Sequence, residues 1–346
     1  MSFSLYKVGG SLLKSYSDID IFADHFARLF LDGQRIVVVV SAIKGRTDAL
    51  LSLAGKKMDD RQSHEALDLL LSLGEQETCA LLALALQRRN IPVVVRSGLR
   101  VGIQQVKQDW VVDTDLYACC RDHVVVVSGF QALNEAGRLI TLGRGGSDLT
   151  AIILAKALQV DRCVLLKDVA GIAKVDPHFF PGFPYFNQLS FRDLFCLVSF
   201  GNPVVQKLAV DYAWQHRVNF SIENLNGQGT QIGSYPSCLL AERDWALTLR
   251  EVDFNPSNEM DKDAFCQNYC LQYSKIEPLI NPENLQNLLP ELKHFSGIQA
   301  TVFGNFDQAF WQDLEAVFVQ KSIARWTYFL KDCEGLKVKI SALLRS

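Results

Sequence analysis

Along the first two thirds of the chain, short apolar runs alternate with longer stretches whose apolar positions recur every three or four residues. Residues 4–8, 35–41, 92–96, 124–128 and 162–166 read as strands. Most are apolar nearly throughout, which marks strands covered on both faces. Between them, residues 19–31, 48–57, 64–89 and 148–158 carry helical spacing. This alternation implies right-handed crossovers and a mainly parallel sheet between two helical layers, a three-layer αβα sandwich. Beyond about residue 235 the period changes. Residues 245–249, 299–303 and 336–340 alternate apolar and polar side chains, as in a sheet with one wet face. The pattern predicts an α/β domain over residues 1–234 and a smaller α+β domain over residues 235–346.

A length of 346 residues fits two such domains. At 49% hydrophobic and 21% charged, the chain has the composition of a globular protein with a sizeable core. A net charge of −3 gives no electrostatic reason to expect nucleic acid as a partner. The longest continuous apolar runs, 36–40 and 124–127, fall far short of the ~20 residues a bilayer requires, so neither a membrane span nor a signal peptide is expected. Nine scattered cysteines, an odd number without regular spacing, argue against a disulfide framework and for a reducing, cytoplasmic setting. No zinc-like spacing and no other metal-ligand set stands out.

Candidate chemistry sits at four corners rich in glycine and charge. "KVGGSLLK" places Lys7, Gly9, Gly10 and Ser11 after the first strand, and "SAIKGRTDAL" places Ser41, Gly45, Thr47 and Asp48 after the second. "TLGRGGSDLTAIILAKAL" carries Arg144, Ser147 and Asp148, and "KDVAGIAKVDPH" carries Lys167, Asp168, Gly171, Lys174 and Asp176. In an open parallel sheet, ligands bind beyond the carboxyl ends of the strands, where loops meet helix N-termini. One such corner is ordinary turn geometry; four in one sheet point to phosphate handling. No Walker A sequence and no protein-kinase motif set is present, so another phosphate-handling fold is required.

Elementary chemistry assigns several roles. Lys7 at a strand end supplies positive charge, and the Gly9, Gly10 and Ser11 amides suit phosphate oxygens. Arg144, between glycines at a corner read as buried, suits bidentate capture of a carboxylate. Asp148 at a helix start is a routine stabiliser of ~0.3–1 kcal/mol or a catalytic group, and Ser147 is an N-cap or a ligand contact. In "LLLSLGEQETCALLALAL", Gly74 costs the helix ~1 kcal/mol relative to alanine, and Glu75 in its apolar surround needs a cation.

"TLGRGGSD.TA..LA.AL" followed by "KDV.GI...DP", with "VVVVSAIKGRTDAL" and "SFGNPVVQKLAV", resembles the aspartokinases of the amino acid kinase family over roughly residues 4–233. The resemblance implies the amino acid kinase fold, ATP and Mg²⁺ as cofactors, and phosphorylation of the side-chain carboxylate of L-aspartate. It implies Lys7 and Asp148 as catalytic groups. Ser41, Thr47, Glu75, Arg144 and Ser147 would bind the amino acid, with Glu75 on its ammonium and Arg144 on a carboxylate. Gly9, Gly10, Ser11, Lys167, Asp168, Gly171, Lys174 and Asp176 would bind nucleotide.

The family's paired C-terminal ACT domains bind a feedback amino acid and dimerise, so residues 235–346 are expected to be ACT-like and the protein a homodimer. The chain departs from the family at Ala173, His178 and Pro203, where tyrosine, arginine and lysine are common, and at Gln206-Lys207, where histidine-proline is usual. Two alternatives remain at this point: a relative acting on another small carboxylate, and a catalytically impaired paralogue.

Overall fold

The computed structural model describes residues 2–55, 65–174, 177, 184–199 and 204–236, and in the C-terminal region the strands at 246–254, 295–303, 318–321 and 327–330. Asp176, His178, Pro203 and the strand expected at 336–340 lie outside the described residues. In chain order the described elements begin with β1 (Phe3–Val8), α1 (Asp18–Leu31), β2 (Arg35–Val40), α2 (Arg46–Ala54) and α3 (Glu65–Gln87). They continue with β3 (Val93–Arg96), β4 (Ile103–Val106), β5 (Asp109–Val112), β6 (Val124–Ser128), β7 (Gln131–Leu133) and β8 (Leu139–Thr141). Then come α4 (Gly146–Leu158), β9 (Arg162–Leu166), β10 (Gln188–Ser190), α5 (Phe191–Ser199), α6 (Lys207–His216), β11 (Phe220–Glu223) and β12 (Gly229–Gly233). The four C-terminal strands are β13 (Ala246–Phe254), β14 (Phe295–Phe303), β15 (Phe318–Lys321) and β16 (Thr327–Leu330).

The main sheet has eight strands in the order β10-β12-β11-β9-β1-β2-β6-β3. All its pairings are parallel except β11 with β12. The five apolar runs are the strands β1, β2, β3, β6 and β9, and the valine-rich β2 and β6 are buried almost completely. Successive side chains alternate between faces. Tyr6, Val8, Ile36, Val38, Val40, Val124 and Val126 form one core with Phe22 and Phe26 of α1 and Leu82 and Leu86 of α3. Lys7 therefore falls on the opposite face of β1, where α4 packs against β1, β2 and β9. Buried polar strand positions are rare, and Lys7, only 3% exposed, is one of them.

One finding corrects the sequence reading, and a second bears on its expectation of no membrane span. The Arg144 corner does not follow a strand of the main sheet: β8 belongs to a separate four-stranded sheet, β5-β4-β7-β8. After β6 the chain enters the β7–β8 pair, registered Gln131↔Thr141 to Leu133↔Leu139, and that excursion returns the corner to the end of the main sheet. Secondly, α3 is long and apolar enough to cross a membrane by length and composition. Its contacts with α1, β3 and β6 mark it as a core helix.

The chain divides into two compact units. The first comprises residues 1–172, 185–195 and 203–236; the second comprises 173–184, 196–202 and 237–346. In the second, β13, β14, β16 and β15 form one antiparallel sheet in that order.

Candidate active site

A cleft of about 810 Å³ opens beyond the carboxyl ends of the central strands of the first unit. The ends of β1, β2 and β9 and the N-terminal residues of α2, α4 and α6 line it. Its centre is a charge cluster. Lys7 Nζ lies 2.7 Å from Asp148 Oδ1. Lys167 Nζ donates to both Asp148 oxygens at 3.0 Å. Burial alone would push the Asp148 carboxyl up, but the two lysines outweigh it and hold it down at about 2. Burial pulls Lys7 down to about 8, opposed by Asp148 and reinforced by Lys167. Two cations on one carboxylate leave a surplus positive charge, and the three side chains are 4%, 3% and 13% exposed for Lys7, Asp148 and Lys167. Such a centre attracts an anion strongly, because water screens it little.

Gly145 delivers Asp148 to that centre. It caps α4 with φ 76°, the left-handed region that a side chain disfavours. The turn leaves the helix without a side-chain cap; the Gly146 and Asp148 N–H groups donate instead to the Gly143 and Gly145 carbonyls, both at 2.9 Å. Ser147 is consequently not the cap: it lies inside the first turn of α4, buried, with its side chain against Gly129. The α6 N-terminus adds a contact that sequence reasoning missed. Gln206 donates its backbone N–H to Asp148 Oδ2 at 3.3 Å and its side-chain amide to the Leu142 carbonyl at 3.1 Å.

Glu75 forms a second polar centre of the cleft wall. The α3 helix runs unbroken through Gly74, whose missing side chain lets it approach the loop after β2: a Cβ there would lie 2.9 Å from Ala42 Cβ. That approach lets the Ala42 N–H donate to Glu75 Oε1 at 3.1 Å. The other oxygen, Oε2, is buried without a hydrogen-bond partner among the described residues. Burial pushes the carboxyl up to about 7, against the Ala42 N–H and the Lys7 charge. A buried carboxylate with one unsatisfied oxygen suits a cationic ligand group.

Other expected residues fall at definite places. Gly9, Gly10, Ser11, Ser41, Thr47, Arg144 and Asp168 line the same cleft, and Ser11 Oγ donates to Asp168 at 2.9 Å. Arg144 is not buried as expected. It stands at the rim, its side chain 79% exposed, 3.4 Å from the equally accessible Asp48. Gly171 does not line the cleft: it adopts φ +110°, and a Cβ there would lie 2.4 Å from Thr230 Oγ1, so close packing explains it. Lys174 belongs to the second compact unit.

The residues present fit phosphate groups. The Gly9–Gly10 turn leaves no room for side chains, since a Cβ on Gly10 would lie 3.0 Å from the Ala42 carbonyl, and Lys7 and Lys167 flank it. Among the described residues no three acidic, histidine or cysteine groups cluster as a protein-only metal site. Mg²⁺ is usually held by one or two carboxylates together with substrate phosphates.

Fold and site together define an α/β protein with one charged cleft at the rim of a mainly parallel sheet, the place where such folds bind ligands. The model of the amino acid kinase family matches residues 3–224. The chain belongs to that family. It is 36% identical over 245 residues to an aspartate kinase of Pseudomonas fluorescens, covering 67% of this chain and 59% of that one. It is 33% identical over 231 residues to aspartokinase 2 of Bacillus subtilis, covering 65% and 56%. It thus spans somewhat under three fifths of the length of these curated relatives. Among solved structures, E. coli aspartokinase III in complex with aspartate and ADP aligns with a TM-score of 0.66 at 18% identity, covering 97% of this chain and 98% of that one. The Synechocystis aspartate kinase aligns at 0.60 with 23% identity, covering 98% and 68%. At these identities the structures establish the fold.

Proposed function

We propose that the chain is an ATP-dependent kinase that phosphorylates the side-chain carboxylate of L-aspartate, giving 4-phospho-L-aspartate and ADP. The observation that carries this reading is the buried Lys7–Asp148–Lys167 cluster at the mouth of a glycine turn, in the same cleft as the half-satisfied Glu75. Aspartate kinases among the relatives and an aspartate- and ADP-bound neighbour of the same fold support the choice of substrate.

A carboxylate oxygen of aspartate attacks the γ-phosphorus, the bond to the β-bridging oxygen breaks, and ADP leaves with that electron pair. Such transfer demands positioning and positive charge more than bond chemistry. Lys7 and Lys167 neutralise the charge growing on the phosphoryl oxygens, and Asp148 holds both ammonium groups in place. The Gly9, Gly10 and Ser11 segment cradles phosphate, and Asp168 anchors it through Ser11. Glu75 receives the α-ammonium of the acceptor, Arg144 turns from Asp48 to a carboxylate, and Ser41, Thr47 and Ser147 complete that wall. Asp148 and Asp168 line the cleft and would be the acids to hold Mg²⁺ brought with the nucleotide, which would supply charge to offset the phosphates.

The antiparallel C-terminal sheet is consistent with residues 235–346 as an ACT-like regulatory and dimerisation region of a cytoplasmic homodimer. The enzymatic proposal is tested by ³¹P NMR of the full chain with Mg·ATP and L-aspartate. An acyl-phosphate resonance, convertible by hydroxylamine and absent with L-glutamate, supports it. ADP without acyl phosphate, or acyl phosphate from glutamate alone, refutes the assignment of acceptor.

A further inference from the structure

At the opposite end of the main sheet from the cleft, the start of β1, the start of β2, the 3₁₀ turn 114–121 and the last residue of α4 line a smaller, open cavity of about 290 Å³. Phe3, Tyr117 and Leu158 give it apolar walls, and Arg35, Arg121 and Asp122 line it as well. The Tyr117 hydroxyl is committed to the Val101 carbonyl, so the tyrosine offers the cavity its ring. Arg35 carries the decisive feature: its Nε is buried without a hydrogen-bond partner among the described residues. A buried guanidinium N–H left unpaired costs free energy, and native structures pair such groups.

No described acid lies within ion-pair distance of Arg35 or Arg121. Asp122 lines the same cavity, and Asp161 accepts the Phe3 N–H at 2.8 Å beside it, yet neither pairs with Arg35 or Arg121. The chemistry is therefore two guanidinium groups without an ion-pair partner, planar donors that match an oxyanion, and an apolar wall. We propose that this cavity is a binding site for a small organic carboxylate, its head on Arg35 and Arg121 and its apolar body against Phe3, Tyr117 and Leu158. A carboxylate on an apolar body uses both the guanidinium donors and the apolar wall; a phosphate would leave that wall unused. The site stands apart from the cleft: α4 begins at the cleft with Asp148 and ends at this cavity with Leu158.

Calorimetry on the full chain with benzoate as the probe tests the site, with neutral benzamide and inorganic phosphate as controls. The expected result is saturable benzoate binding, none with benzamide, weaker binding with phosphate, and a loss of about tenfold or more in both Arg35→Gln and Arg121→Gln. Arg121→Gln lies on an exposed turn and guards against misfolding of the Arg35 variant. Arg144→Gln, in the cleft, should leave benzoate affinity unchanged. No saturable binding, equal binding of benzamide, a preference for phosphate, or affinity lost in Arg144→Gln rather than in the cavity variants would overturn the proposal.

Discussion

Lys7 on β1 and Asp148 on the first turn of α4 meet at 2.7 Å in a site from which water is almost excluded. The contact exists because period-two alternation turns Lys7 toward the α4 face while its neighbours Tyr6 and Val8 pack under α1 and α3. Lys167, one residue beyond β9, closes the cluster from the adjoining strand.

Removing the acid should damage stability more than removing one base. In Asp148→Asn two buried lysines lose their common counter-charge, a change that costs about 3–5 kcal/mol when a buried pair is broken. Lys7→Met leaves Asp148 paired with Lys167, so its urea midpoint should fall less. Equal stability of D148N and wild type would show that the pair is not buried in solution.

The pH profile follows from two displaced groups. Glu75 is raised from 4.5 to about 7, and Lys7 is lowered from 10.5 to about 8. Ionised Glu75 and cationic Lys7 coexist between those values, so kcat/KM should be bell-shaped with limbs near 7 and 8. Glu75→Gln should abolish the acid limb. In the unfolded chain Glu75 releases its proton earlier than in the folded one, so its contribution makes stability fall as pH rises from about 4.5 to about 7. Lys7 acts in the other direction: the cost of its buried charge is fully present below about 8 and is relieved toward 10.5. Urea titrations of E75Q and wild type across this range should differ in slope below pH 7.

Gly74→Ala tests the approach of α3 to the loop after β2. Alanine favours a helix by about 1 kcal/mol over glycine, yet its Cβ would meet Ala42 Cβ at 2.9 Å. Overpacking of this kind costs about 1–3 kcal/mol. The variant should be no more stable than wild type and should raise KM for the acidic acceptor through displacement of Glu75. A stabilised variant with unchanged KM would contradict the steric account.

Arg144→Gln should separate binding from stability. The Arg144–Asp48 pair is exposed, and such pairs contribute about 0–1 kcal/mol. The melting temperature should barely move. A lost charge-assisted hydrogen bond to substrate should raise KM for aspartate about tenfold. An unchanged KM would remove Arg144 from the acceptor site.

Much of this architecture was legible in the sequence. The valine runs of β2 and β6 and the lysine one residue from the end of β1 announced a buried parallel sheet with a charge at its rim. The β4–β5 pair escaped notice because its turn lacks the usual glycine or asparagine; Lys107 itself takes φ 56° there. The β7–β8 pair was hidden for a different reason: three-residue strands have too little period to read. The family resemblance assigned Lys167 to nucleotide alone, whereas pairing with Asp148 is visible only in three dimensions. The flanking glycines placed Arg144 in a corner read as buried, but its side chain stands at the rim. Gln206 stood out only as a departure from the family; its contact with Asp148 gave no signal because it runs through the backbone.

The most direct test of the central claim is the ATP turnover rate of Lys7→Met against wild type with L-aspartate as acceptor, both proteins shown folded. The cluster should account for a fall of about 10²–10³ in kcat, the usual loss for one preorganised donor at a reacting group, with KM for aspartate nearly unchanged. Turnover in K7M within a few-fold of wild type would contradict the assignment of phosphoryl transfer to this centre.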